Sequence, residues 1–457
     1  MKLLHRIRGT GSGMGRALVP GAAAFAVVLA GCETDSLVNL EDPDLITLPT
    51  VQDTANIETL RNGVLFEFAE AYSGPANNNA TPGIVGVSGL MADELWYAST
   101  FSDMRNVDAR AIQRTDGAIE DVFFGLHRAR NLANQADAMY AQSSRQGSAD
   151  HAMMVNYSAF ASVLLAENFC SGVPVSEAPL GEALVFGASQ TTDEILNGAI
   201  ARFDEAIALA QGAGSDDQLN LARVGKARAL LALGRFDDAA AVAAAVPDDF
   251  EFAVTYADVT TASNNGVYYN INSEGRSSAA TNEGTNGLTF FTRGAGPYDV
   301  DPRVEVDSAG IGIGTSIPRY IQLKYPARGS DIVLASGLEA RLIEAEAALD
   351  MGNSTAYLPI LNDLRTDIGL PALTDPGAGE PRVLQLFEER AYWLWLTAHR
   401  LADLRRLIRH YGFTEDEVFP VGQTIFGRPY GDDVNFPIPQ IEDNNPNFSG
   451  QCIDRNA

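Results

Sequence analysis

Between residues 54 and 245 the apolar positions recur every three or four residues. Ile57, Leu60, Val64, Phe68 and Ala71 mark one face of a first helix, closed by Gly74-Pro75. The same period predicts helices over 116–140, 151–169, 192–210, 218–233 and 236–245, then over 335–352 and 356–368. A last helix over 383–410 is apolar on nearly all sides around 391–398, which places it centrally, with Gly412 as its cap. Residues 76–89, rich in Asn and Gly, read as a loop leading into Met91–Tyr97. Around Gly234 two Ala-rich helices fold back on one another. Small residues there let the pair approach closely, as in a tetratricopeptide unit, and 335–352 with 356–368 echo it. No regular period runs through the whole chain, so the expected architecture is mainly α, with degenerate tetratricopeptide-like helical repeats.

Residues 251–334 break this pattern. Gly, Asn, Ser, Thr and Tyr dominate, helical period is lost, and short stretches alternate weakly as strands do. A long irregular insertion between helical blocks is more often functional than filler, and its Tyr and Phe content argues against disorder. Five segments follow: 1–31, 32–53, a helical part 54–250, the loop-rich insertion 251–334 as a ligand-facing region, and a helical part with tail, 335–457.

Composition changes the picture mainly at the N-terminus. An apolar run from Ala17 to Ala30 follows Lys2, Arg6, Arg8 and Arg16 and ends in Leu29-Ala30-Gly31-Cys32. A basic start, a short apolar core and small residues before a cut describe a secretory signal. Pro20-Gly21 interrupts the run, which is too short to span a bilayer. A cysteine directly after Leu-Ala-Gly resembles the lipobox of bacterial lipoproteins, making Cys32 the expected lipidation site and 32–53 an acidic tether. The leader holds four of the 32 basic residues and none of the 59 acidic ones, so the mature chain is more negative than the −27 of the whole. Such a charge repels phosphate backbones and anionic headgroups, which excludes nucleic acid as partner and leaves lipid as the means of attachment. Two further cysteines, Cys170 and Cys452, are compatible with one disulfide in an exported chain, or with two unrelated buried thiols.

Several stretches together resemble the SusD/RagB family of surface lipoproteins. Glu389-Arg390-Ala391-Tyr392-Trp393-Leu394-Trp395 running into His399-Arg400 and Asp403-Leu404-Arg405-Arg406 is similar to that family's signature helix, with Ala398 where glycine is more usual. Phe436-Pro437-Ile438-Pro439 with Asn445-Pro446-Asn447 resembles its closing motif. Ala340-Arg341 to Ala347 with Leu361-Asn362, and also Ala92-Asp93-Glu94, Arg130-Asn131 and Asp301-Pro302-Arg303, fit other blocks. The resemblance runs from the lipobox to the tail and misses mainly the insertion. It implies a lid over a SusC-like TonB-dependent outer-membrane transporter, lipid-anchored and facing the cell exterior. The lid would capture nutrient for that transporter, most often oligosaccharide and in some members peptide.

Sugar rings present apolar C–H faces and polar edges, which flat aromatics flanked by Asn, Asp and Arg suit. Trp96 and Tyr97, and Tyr268, Tyr269, Phe290, Phe291 and Tyr298 in the insertion, are the candidate ligand contacts, although such rings also anchor polar loops. Trp393 and Trp395 belong to the core. His399, Arg400, Asp403 and Arg406 fall within one or two helical turns and read as a buried structural network rather than a catalytic group. Asp299, Asp301, Glu305 and Asp307 lack the spacing of a calcium loop and read as a solvated charge run. His and Cys show no metal spacing, no phosphate loop or nucleophile elbow is present, and the adjacent carboxylates Asp93-Glu94 would point apart rather than flank one bond. Neither an enzyme, a metal nor a cofactor is expected. Other readings that remain are a surface hydrolase on a helical scaffold and a structural repeat adaptor.

Overall fold

The computed structural model describes residues 54–76, 81–292, 301–350 and 356–457, all within one compact unit, Ile46–Ala457. The leader, Cys32, the tether 32–53, Tyr298 and Asp299 lie outside the described residues.

The expected helices form close to their expected bounds. They are α1 (Thr54–Ser73), α4 (Gly117–Ala141), α5 (Ala149–Asn168), α6 (Thr192–Ala213), α7 (Asp216–Ala232), α8 (Phe236–Ala243), α9 (Gly337–Asp350) and α10 (Tyr357–Asp367). A short helix, α2 (Ile84–Met91), stands largely where the Asn- and Gly-rich pattern of 76–89 predicts loop, and another, α3 (Ser102–Asp108), forms in a stretch for which no element is predicted. The glycines in α2 explain why it escapes sequence reading: the helix is buried throughout and is held by its surroundings rather than by propensity. Three of the helix starts are capped by side chains. Thr191 and Glu194 form a reciprocal capping box on α6, and Ser148 and Ser215 accept from backbone N–H groups opening α5 and α7.

Each helix packs on the next, α4 on α5, α5 on α6, α6 on α7, α7 on α8, with α9 on α8 and α10 and with α1 on α4. This is the succession of paired helices that defines a degenerate repeat array. Gly234 sits at φ +70° between α7 and α8, and a Cβ there would lie 2.8 Å from the His410 ring. Turn geometry and close approach both demand glycine.

The insertion supplies short antiparallel pairs. β1 (Leu95–Tyr97) pairs with β5 (Ser277–Ala279), β4 (Glu251–Val254) with β8 (Ile332–Ser336), and β6 (Val306–Ile311) with β7 (Pro318–Gln322); outside the insertion, β2 (Val173–Pro174) pairs with β3 (Ser189–Gln190). Cys170 and Cys452 form a disulfide with Cα atoms 5.9 Å apart, tying the end of α5 to the tail.

The expected single helix over 383–410 is two: α11 (Glu380–Trp393) and α12 (Arg400–Tyr411). Between them Leu396 and Ala398 adopt φ of +55° and +60°. An unbroken apolar pattern hides this break, because the turn is itself buried. Its polar backbone is satisfied by side chains from distant elements. Leu396 N donates to Glu94 Oε1 (2.8 Å), Lys324 Nζ to Trp395 O (2.6 Å), Tyr325 Oη to Leu396 O (2.9 Å), Tyr72 Oη to Thr397 O (3.0 Å) and Arg228 Nη2 to Ala398 O (3.0 Å). The left-handed geometry explains why glycine suits position 398. Ala398→Gly removes a Cβ from that conformation and should raise stability by up to about 1 kcal/mol, read as a higher thermal midpoint. A lower midpoint would mean that packing of the Ala398 methyl outweighs the backbone strain.

Candidate ligand-binding site

The sequence-derived aromatics do not share one surface. Trp96, Tyr97, Phe290 and Phe291 are buried, none more than 3% exposed, so none presents an open ring face as expected, and of the four Tyr97 alone lines the hollow described below. The reason is long-range. β1 pairs with β5, so the Trp96 ring turns inward against Tyr320 (centroids 5.8 Å), and its Nε1 donates to Pro318 O at 3.1 Å. Phe291 packs on the same Tyr320 (4.9 Å) and Phe290 on Tyr392 (5.3 Å). These rings fasten the insertion to the helical body. Tyr268 and Tyr269 are half-buried on a helical turn, where Tyr269 Oη donates to Glu274 Oε1 at 3.3 Å.

The structure instead forms a hollow of about 240 Å³ just beyond β1, lined by Tyr97, Phe101, Asp103, Met104, Asn270 and Arg276 together with Thr81 and Pro82. Phe101 begins α3 and leaves 38% of its surface in solvent. The Arg276 guanidinium lies 4.7 Å from its ring centroid and 3.4 Å from Glu274. A cation held over an aromatic face stiffens both groups without neutralising their outer edges. Asn270 is a buried part of the lining, and its Oδ1 has no hydrogen-bond partner among the described residues. Burial pushes the Tyr97 phenol above its ordinary pKa, so it stays protonated at neutral pH. Beside the hollow Arg105 stacks on Phe426 at 3.9 Å, and the β6–β7 hairpin brings up half-exposed Ile313, whose carbonyl accepts from Ser99 Oγ (3.2 Å). The hollow offers one exposed ring, a charged fork, a carboxylate and an amide.

Sequence reasoning missed Phe101, Asp103, Asn270 and Arg276. The available signal was a lone phenylalanine between Ser-Thr and Ser-Asp, with no periodic partner.

The tempting titratable residues are consumed by structure. Arg400 is forked onto Asp93 (2.7 and 2.9 Å). His399 Nε2 stands 3.0 Å from Glu339 and 2.9 Å from Arg228, and burial lowers its pKa. Asp403 accepts from Arg390 and Arg406, which hold it ionised against burial. Asp301 is forked by Arg303, which also reaches Glu389 (2.6 Å). Among the described residues no cluster of three His, Cys, Asp or Glu is arranged for a metal, and no helix is long and apolar enough to cross a membrane.

No protein-family model matches the chain, and no curated protein matches it in sequence. Solved structures do. A SusD-like carbohydrate-binding protein from Bacteroides fragilis aligns with a TM-score of 0.63 at 13% identity, covering 87% of this chain and 99% of that one. Surface glycan-binding protein A from Bacteroides thetaiotaomicron, in complex with laminarihexaose, aligns at 0.61 and 12%, covering 87% and 99%. A SusD superfamily protein from Bacteroides fragilis aligns at 0.61 and 16%, covering 86% and 98%.

Glu94 gives a pH test of this core. Burial, reinforced by Asp93, raises its pKa to about 8, with Leu396 N opposing. Between its ordinary 4.5 and about 8 the folded chain keeps a proton that the unfolded chain loses, so stability falls as pH rises through that window. Lys324, lowered by burial to about 8, acts only above it and with opposite sign. Glu94→Gln keeps an acceptor for Leu396 and stays neutral. Its stability relative to wild type should therefore grow by a few kcal/mol, in order of magnitude, between pH 5 and 8. Parallel denaturation curves across that range would refute the raised pKa. At 12–16% identity the likeness is one of fold, and that fold is the fold of the SusD superfamily.

Proposed function

We propose that the protein is a non-catalytic surface lipoprotein that captures oligosaccharide and delivers it, as a lid, to a TonB-dependent outer-membrane transporter. The hollow at Phe101 carries this reading. An exposed ring meets the apolar face of a pyranose, while Arg276, Asp103 and the unpartnered Asn270 Oδ1 meet its hydroxyls. The laminarihexaose complex of a protein with the same fold supports the ligand class. Catalysis has no support from Asp93 and Glu94: one is locked to Arg400, the other is buried against Leu396. Cys32 is the lipid-bearing residue in this reading, and the lid role rests on the family resemblance of the sequence motifs.

Two measurements test it. On a panel of oligosaccharides, calorimetry of the unlipidated chain should find a binder, and Phe101→Ala should weaken it about tenfold, about 1.4 kcal/mol, with an unchanged thermal midpoint. Undiminished binding would remove the hollow from consideration, and absence of any glycan binder would remove the function. Separately, Cys32→Ser should leave a folded protein that no longer fractionates with membranes; retention would end the lipid-anchor reading.

A further inference from the structure

A second concavity, sharing no lining residue with the hollow, runs along α4. Its volume is about 620 Å³, within the range of small-molecule pockets. Phe124, His127, Asn131 and Leu132 recur at helical spacing and form one stripe of its floor. The far wall is the hairpin closed by mutual backbone bonds between Glu177 and Val185 (3.0 and 2.8 Å), which presents Leu184 and Phe186; Ile441 from the tail faces them. These three apolar side chains are 51%, 41% and 41% exposed. Apolar groups gathered around one groove and left in water mark a binding surface.

The walls are built in advance. Asn445 Nδ2 donates to Gly187 O (3.1 Å) and Asn447 Nδ2 to Phe186 O (2.7 Å), so tail and hairpin hold each other. The Cys170–Cys452 disulfide anchors the same tail covalently to the end of α5, just ahead of the hairpin in sequence. A preformed groove binds without first paying for ordering its walls.

The charges on its floor are already matched. Arg128 lies 3.3 Å from Glu67, and just behind the groove Arg130 is bonded to Glu177 at 2.6 Å. Burial, together with Arg130, lowers the His127 pKa to about 3, so the imidazole is neutral. Its Nε2 is buried without a hydrogen-bond partner among the described residues. A charged ligand finds no free counter-charge on the floor. A plain oligosaccharide would leave hydroxyls against Leu132, Leu184, Phe186 and Ile441. The combination of an apolar floor with the Asn131 amide and the Glu442 carboxylate at the edges fits a molecule with one apolar and one hydroxyl-bearing end.

We infer that this groove binds a neutral amphiphile, an alkyl or aryl glycoside, with the apolar group between α4 and the Leu184–Phe186 hairpin and the sugar hydroxyls at the Glu442 edge. The inference stands independently of glycan capture at Phe101.

The probes are n-octyl β-D-glucoside, below its micelle concentration, and methyl β-D-glucoside, titrated against the full unlipidated chain by saturation-transfer NMR. The octyl compound should bind at least tenfold tighter, with transfer strongest to its alkyl protons. Leu184→Ser combined with Phe186→Ser should abolish that advantage; both side chains are largely exposed, so the thermal midpoint should hold. Phe101→Ala should leave it unchanged. Equal binding of the two glucosides would overturn the inference and leave the groove to a macromolecular partner. An octyl advantage that survives the double substitution, or is lost with Phe101→Ala, would place the alkyl group elsewhere and overturn it equally. Failure of every oligosaccharide to bind at Phe101 would leave these outcomes untouched.

Discussion

Arg390 and Arg406 share two carboxylates, Asp403 and Glu346, where water does not reach. Arg406 is forked onto Glu346 (3.0 and 2.8 Å) and lies 2.8 Å from Asp403, while Arg390 is forked onto Asp403 (2.8 and 3.0 Å). Two neighbouring sets continue the network: Arg228 with Glu167, His399 and Glu339, and Arg400 with Asp93. Taking so many charges out of water is costly, and the cost is met only while every partner stays in place. The network therefore works as a registration device. It joins α5, α7, α9, α11, α12 and the strand-bearing segment at β1, so none of these elements can shift alone. The buried turn at 394–399 depends on it directly, since Arg228 binds both the Ala398 carbonyl and Glu167.

The fixed frame explains why the insertion and the loops beside it can be irregular. Short strand pairs hold the insertion at several points, and inward rings such as Trp96, Phe290 and Phe291 nail it to the body. Polar loops between these anchors are then free to present Phe101, Asn270 and Arg276 in an arrangement that no regular element would give. The two concavities differ because their floors differ. One is set among loops and offers a single exposed ring among polar groups; the other has a helical floor, with Arg128 paired to Glu67, and walls whose exposed residues Leu184, Phe186 and Ile441 are apolar.

What the sequence disclosed follows from the range of the interactions involved. Helices α1, α4–α8 and α9–α10 are local, and spacing of residues such as Ile57, Leu60, Val64 and Phe68 is enough to find them. The network around α12 was legible because its charges stand at helical spacing in an apolar stretch. Two things were not. The break after Trp393 leaves no mark, since Leu396 and Ala398 take a backbone form that their side chains do not advertise and that Glu94, Tyr72 and Arg228 impose from afar. Likewise an aromatic residue reads the same whether it turns inward or outward. Pairing of β1 with β5 buries Trp96 and Tyr97, while Phe101, four residues on, is left outside.

The bridge between Cys170 and Cys452, 282 positions apart in sequence, encloses α6 to α12 and the whole insertion in one covalent ring. The exposed loops most open to a protease, such as those flanking Val259 and Ile311, lie inside that ring. A single cut there opens the ring without dividing the molecule, because both fragments remain joined through sulfur. The chain can therefore be nicked by a protease and still hold the pairings that keep its core in register.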